Sequence, residues 1–148
     1  MSKKPLIIST DPGIDDVAAM TISLFAADLD VKMIVPTWGN VSLEHTLQNT
    51  LDLEKFLHTK VPVVKGANQP LVRPAISAAS VHGETGIAGF EFEKANNDLL
   101  MSGLAATKMC EAIKSSPEKV TLLGIGPLTD FALLFKQYPD VVENIAKV

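Results

Sequence analysis

Two rhythms of apolar and polar residues alternate along this chain. Short apolar runs, Leu6 to Ser9, Val31 to Val35, Pro62 to Val64 and Val120 to Leu123, have the length and branched side chains of strands buried on both faces. Between them lie longer stretches in which apolar residues return every three or four positions, the spacing of a helix with one buried side. Asp15 to Ala27 carries Val17, Ala18, Met20, Ile22 and Phe25 in this way. A second helix opens at Asn40-Val-Ser42 and runs to about Leu57, a third runs from Asp98 to Ser115, and a fourth leaves a turn at Pro127 and ends near Tyr138. Strand and helix in alternation predict βαβ units, and so an α/β fold whose mainly parallel sheet has helices on both faces.

One stretch breaks the rhythm. Gly66 to Asn97 holds Pro70, Pro74 and four glycines with little periodicity, and it reads as a long irregular excursion. Long loops within compact domains usually carry function, and this one has the composition of a segment that moves over a site. At the far end, Ile145-Ala-Lys-Val148 reads as the opening of another strand. A strand barely begun leaves its neighbour's backbone groups unpaired, so residues 1–148 are expected to be the N-terminal part of a longer domain, cut short.

Composition changes the picture in three places. A length of 148 residues with 47% hydrophobic and 20% charged content suits one globular domain. The net charge of -4, with no basic run, argues against nucleic acid and against an anionic membrane as partners. The apolar stretch before Asp11 is too short for a signal peptide or a membrane span, and Cys110 alone excludes an internal disulfide. A cytoplasmic protein is expected, with Cys110 buried on a helix.

The candidate chemistry gathers at strand ends, where open parallel sheets bind their ligands. Thr10 to Asp16 reads T-D-P-G-I-D-D directly after the first strand. Two like charges ~4 Å apart repel by roughly 4 kcal/mol at an effective dielectric near 20, so Asp11, Asp15 and Asp16 together ask for a cation. Aspartate offers hard oxygen donors, which suit calcium or magnesium. A helix cap would account for one or two of these acids but not for Asp11. Trp38-Gly39-Asn40 follows the second strand, Gly124-Ile-Gly-Pro127 follows the strand at 120–123, and His82-Gly83-Glu84-Thr85-Gly86 lies in the excursion. Asn40 reads equally well as the cap of the next helix, and a loop histidine such as His82 is by itself no more than a solvated side chain.

Taken in order, D-P-G-I-D-D, G-N, H-G-x-x-G and G-P-L-T-D resemble the calcium-dependent nucleoside hydrolases, the inosine-uridine preferring N-ribohydrolases, over essentially the whole chain. The resemblance implies a Rossmann-like domain that binds one calcium ion, with a nucleoside as small-molecule partner. It implies hydrolysis of the N-glycosidic bond to ribose and free base by a calcium-bound water, through an oxocarbenium-like transition state. Asp11 and Asp16 would be calcium ligands, joined by the backbone carbonyl of Ile125, and Asp11 would also take the proton of the water. Asp15 and Asn40 would hold the ribose, and His82 would lie near the base. Ser9 and Asp130 depart from the family pattern, which often has Asp and Asn there. Family members also run well beyond this length and supply further ligands, so a catalytically silent truncated domain is the alternative. The preferred base, the leaving-group acid and assembly into a homo-oligomer stay open.

Two rival chemistries fit less well. Aspartate-based phosphoryl transfer wants a D-x-D-G type of spacing that Thr10 to Gly13 does not spell. Gly124-x-Gly126-x-x-Thr129 resembles a dinucleotide fingerprint but has Thr for its third glycine and comes late in the chain.

Overall fold

Strand β1, Lys4–Thr10, is buried from Pro5 to its end, and the rest of the sheet is assembled on either side of it. In the computed structural model, which describes residues 2–148, helix α1 (Ile14–Phe25) leads to β2 (Leu29–Pro36) and α2 (Leu43–Phe56) to β3 (Val63–Val64). A long segment holding one short helix, α3 (Ala79–His82), then reaches β4 (Leu100–Met101). Helix α4 (Ala105–Ser115), β5 (Val120–Gly124), α5 (Thr129–Gln137), a 3-10 helix (Pro139–Asn144) and β6 (Ile145–Lys147) complete the chain. The strand order is β4-β3-β2-β1-β5-β6, and every pairing is parallel. The expected α/β fold with a parallel sheet is therefore present.

The order places the functional end of the sheet. The chain moves outward from β1 to β4 and returns to β5 on the other side of β1, so strand order reverses between β1 and β5. A crevice opens at such a point beyond the carboxyl ends of the strands. Alternate residues of β2 serve opposite faces. Met33 and Val35 join the cluster under α4 and α5, whereas Ile34 joins Met20 of α1 and Leu53 of α2. Cys110 is buried in α4, as its helical position predicts. No helix among the described residues is long and apolar enough to cross a membrane.

Three features differ from the periodicity. The helix expected from Asp98 is divided, because Leu100–Met101 pairs with Val63–Val64 and supplies partners to the open side of β3. Gly103 then turns the chain at a φ of 112°, and the helix starts at Ala105. Helix α2 begins after Ser42, not Asn40, with the Ser42 hydroxyl facing the His45 N–H. On α1, Ile22 and Phe25 stay exposed, so the buried side of that helix is narrower than its apolar spacing implies.

Candidate active site

Asp11 is the first residue beyond β1 and is only 6% exposed. Its Oδ2 accepts the backbone N–H of Asn40 at 2.7 Å, and the Asn40 side-chain amide donates back to the Asp11 carbonyl at 2.9 Å. Asn40 is thus occupied in joining the exits of β1 and β2, which decides against its reading as a cap. The fit is close on both sides. A Cβ on Gly39 would stand 2.0 Å from Asp11 Oδ2, and one on Gly126 would stand 2.5 Å from Asp11 Oδ1. Glycine is needed at both places because the Asp11 carboxylate fills the space.

Asp16 lies one turn into α1 and is likewise buried. Its Oδ1 accepts the Thr10 hydroxyl at 2.6 Å, and its Oδ2 accepts the Gly13 N–H at 3.2 Å. Part of the acidic cluster is therefore spent locally, since the Gly13 contact closes the start of the helix. Asp15, by contrast, is exposed in the first turn.

Burial sets the electrostatics. It lifts the Asp11 carboxyl to about 6, with the Asn40 N–H pulling it down and the charge of Asp16 pushing it further up. Asp16 is also raised by burial, against the hydrogen bonds from Thr10 and Gly13. None of the ion pairs among the described residues involves either acid. Two neighbouring buried carboxylates with raised proton affinity and no basic partner suit a hard cation. They are not a ready cage: no group of three or more His, Cys, Asp or Glu side chains that could hold a metal ion occurs among the described residues.

Ile125 leaves β5 beside this pair, its N–H donating to the Ser9 carbonyl at 2.9 Å. Its own carbonyl carbon is bonded to the Gly126 nitrogen, and standard bond lengths keep that carbonyl oxygen within about 7 Å of Asp11 Oδ1. His82 closes the other side. A Cβ on Gly13 would come within 2.8 Å of both the His82 Nδ1 and the Asn40 Nδ2, so ring and amide share the space above the Asp-rich loop. The His82 Nδ1 and the Ser9 hydroxyl are buried without hydrogen-bond partners. The structure thus gathers Asp11, Asp16, Asn40, Ile125 and His82 at one place, with Asp15 at its exposed margin.

Two residues to which the sequence assigned no role in the site also build this place. Asp130, the departure from the family pattern, is buried at the start of α5, and both carboxylate oxygens accept the Ala67 N–H, at 3.0 and 3.2 Å. The Ala67 carbonyl in turn accepts the Trp38 N–H at 2.9 Å, so Asp130 steadies the turn that carries Gly39 and Asn40. Burial raises its pKa, and the hydrogen bonds from Ala67 and Thr37 oppose the rise. Asn49, inside α2, donates its amide to the Pro12 and Thr85 carbonyls. The signal for Asn49 was the polar stripe Thr46, Asn49, Thr50, which lies at helical spacing where an apolar side was expected.

A carboxylate pair thus lies at the switch point of a parallel sheet, clasped by the G-N turn and overhung by a histidine. The chain belongs to the inosine-uridine preferring nucleoside hydrolase family, whose profile matches residues 6–148. It is 46% identical over 145 residues to a non-specific ribonucleoside hydrolase RihC of Klebsiella pneumoniae, covering 97% of this chain and 47% of that protein. A RihC of Escherichia coli is 44% identical over 145 residues with the same coverage. Among solved structures, a purine-preferring ribonucleoside hydrolase from Gardnerella vaginalis superposes with a TM-score of 0.89 at 25% identity, over 96% of this chain and 46% of that one. An inosine-guanosine nucleoside hydrolase gives 0.87 at 26% identity, over 96% and 45%. The chain spans about half the length of the curated relatives it matches.

Proposed function

We propose that the Asp11 pocket serves hydrolysis of the N-glycosidic bond of ribonucleosides, releasing ribose and free base, with calcium as cofactor. The observation that carries this reading is the pair of buried, uncompensated carboxylates Asp11 and Asp16 at the switch point, in a chain of the nucleoside hydrolase family. Asp11, Asp16 and the Ile125 carbonyl would hold the ion. When bound, calcium would fix a water in place and lower its pKa in part, leaving its deprotonation to a carboxylate.

The remaining steps fall to the chain's own groups. Asp11 takes the proton of the attacking water, and the Asn40 N–H at 2.7 Å keeps that carboxylate in one orientation. Asn40 and the exposed Asp15 hold ribose hydroxyls, which fixes the sugar relative to Asp11. The His82 ring, with its Nδ1 unpartnered, offers a polar edge to the base. The lone Cys110, buried on α4, suits a cytoplasmic setting.

A second reading has its own observation. Calcium takes about six to eight oxygens, whereas the assigned ligands Asp11, Asp16 and the Ile125 carbonyl would supply only three groups. On that reading the 148-residue chain binds calcium weakly and releases no ribose. Calcium calorimetry paired with a reducing-sugar assay on inosine and uridine separates the two. Calcium-dependent ribose release that disappears in Asp11→Ala supports the hydrolase; weak calcium binding without release supports the silent domain. Calcium binding that persists unchanged in both Asp11→Ala and Asp16→Ala would remove the metal assignment.

A further inference from the structure

Asn49 ties together two segments that are far apart in the sequence. It is 7% exposed on α2, and its amide donates to the Pro12 carbonyl at 3.3 Å and to the Thr85 carbonyl at 2.7 Å. The first carbonyl belongs to the loop that bears Asp11 and leads into Asp16 of α1, and the second to the turn that follows His82. Gly86 packs into the same spot at a φ of 90°, where a Cβ would meet the Pro12 oxygen at 3.1 Å and the Asn49 amide nitrogen at 3.2 Å. The turn is closed by Gly86 N–H to the Gly83 carbonyl at 3.1 Å and Ala88 N–H to the His82 carbonyl at 3.0 Å. A second anchor precedes His82. The Asn40 carbonyl accepts the Ala78 N–H at 2.8 Å and the Ser77 hydroxyl at 3.1 Å.

The segment is therefore held before and after His82, while the ring itself makes no hydrogen bond through Nδ1. Its place over Gly13 is dictated by the anchors. Of these, the Asn40 anchor keeps a main-chain bond, Ala78 N–H to the Asn40 carbonyl, that does not depend on either side chain, but the Asn49 anchor depends on one side chain. Both atoms it faces are carbonyl oxygens, which only accept, so a donor is required there.

We infer that Asn49 is a positioning residue, acting through Pro12 and Thr85 to hold His82 above the Asp11 loop. The inference rests on reading the Asp11 pocket as the reacting site, but its test uses no turnover and so stands or falls separately. Asn49→Asp keeps the shape and removes the donor at neutral pH, leaving a carboxylate against two carbonyl oxygens. Once protonated, the new carboxyl offers an O–H to one of them. Asn49→Ala removes the donor at every pH.

The experiment is residue-resolved amide exchange on the 148-residue chain, together with the carbon-bound proton resonances of the His82 ring, each variant being compared with wild type at the same pH. At neutral pH, Asn49→Asp is expected to lose roughly tenfold protection at Gly86 and Ala88, as befits one lost hydrogen bond with its carbonyl left unpaired. The His82 resonances should shift, while Ile7 and Leu122 in the central strands stay protected. Acidification through the range of the new carboxyl should restore the loop in Asn49→Asp and leave Asn49→Ala unrestored. Wild-type protection and an unmoved His82 signal in Asn49→Asp would overturn the proposal. So would a loss that is equal at all pH values, or one shared by the core strands, since either describes packing and not a latch.

Discussion

Under α4 and α5 the buried residues are almost all apolar, from Ile7, Met33 and Val35 on the strands to Met109, Ile113, Phe131 and Leu134 on the helices. Under α1 and α2 the apolar cluster shrinks to Met20, Ile34 and Leu53, and α2 alone buries Thr46, Asn49, Thr50, Asp52 and Glu54. Buried polar groups destabilise unless they find partners. Here the partners are loops. Thr46 donates to the Thr37 carbonyl, Asn49 to Pro12 and Thr85, and Asp52 accepts from Gln48, Lys94 and the Ala95 N–H. One face supplies cohesion, and the other gives up some of it to hold the long segment and the Asp-rich loop in place.

Mutations on the two faces should therefore fail in different ways. The largest loss is expected for Phe131→Ala on the apolar face, about 3–5 kcal/mol in urea unfolding with the whole transition moved. Asp52→Ala should cost less, about 1–3 kcal/mol, because it strands the Ala95 N–H and frees Lys94. Amide exchange would show that loss concentrated around residues 93–97; an equal loss in β1 would contradict the division between faces.

Glu54→Gln should act in the opposite direction. Glu54 is fully buried on α2, with one carboxylate oxygen bonded to the Val61 N–H at 2.9 Å and the other without a partner. Burial raises its pKa against the Val61 and Thr59 hydrogen bonds. A raised carboxyl binds its proton more tightly in the folded chain. Its contribution to stability is thus fully present below the ordinary glutamate range and lost as pH rises through the raised value. The variant should gain about 1 kcal/mol at pH 8, gain little at pH 4, and show a flatter pH profile of the melting temperature. Smallest of all, Lys55→Ala should change stability by less than about 0.5 kcal/mol, since its partner Glu93 is 85% exposed. A larger effect would mean that the Lys55 contact with the Lys94 carbonyl at 2.9 Å steadies the loop more than its exposure implies.

The apolar face was legible in the sequence because its residues follow one period from end to end. Strands β1, β2 and β5 and the opening of β6 lie where the apolar runs put them. Strand β4 was not visible. Two residues gain strand geometry from pairing with Val63–Val64, more than thirty positions away, while the local pattern of Asp98 to Ser115 suits a helix. The motif residues Asp11, Asp16, Asn40 and Ile125 were legible because each sits just past a strand or opens the next helix. Asn49 and Asp130 were not, because each acquires its role from loop backbone that comes close only after folding.

The central place of β1 has a consequence for the order of events during synthesis. Its residues emerge well before those of β5, yet β5 is one of its two sheet neighbours, with Ile7 opposite Leu122 across more than a hundred residues of chain. The pairing with β2 closes over a much shorter loop and carries less entropic cost. On a ribosome, β1, α1, β2 and α2 can therefore assemble while the other edge of β1 still waits. Asp11 spends that interval without Gly126 beside it, and the crevice comes into being only when β5 docks. Slow pairing of this kind leaves a nascent strand edge open, which makes this interval the time when the chain is most exposed to association with other chains.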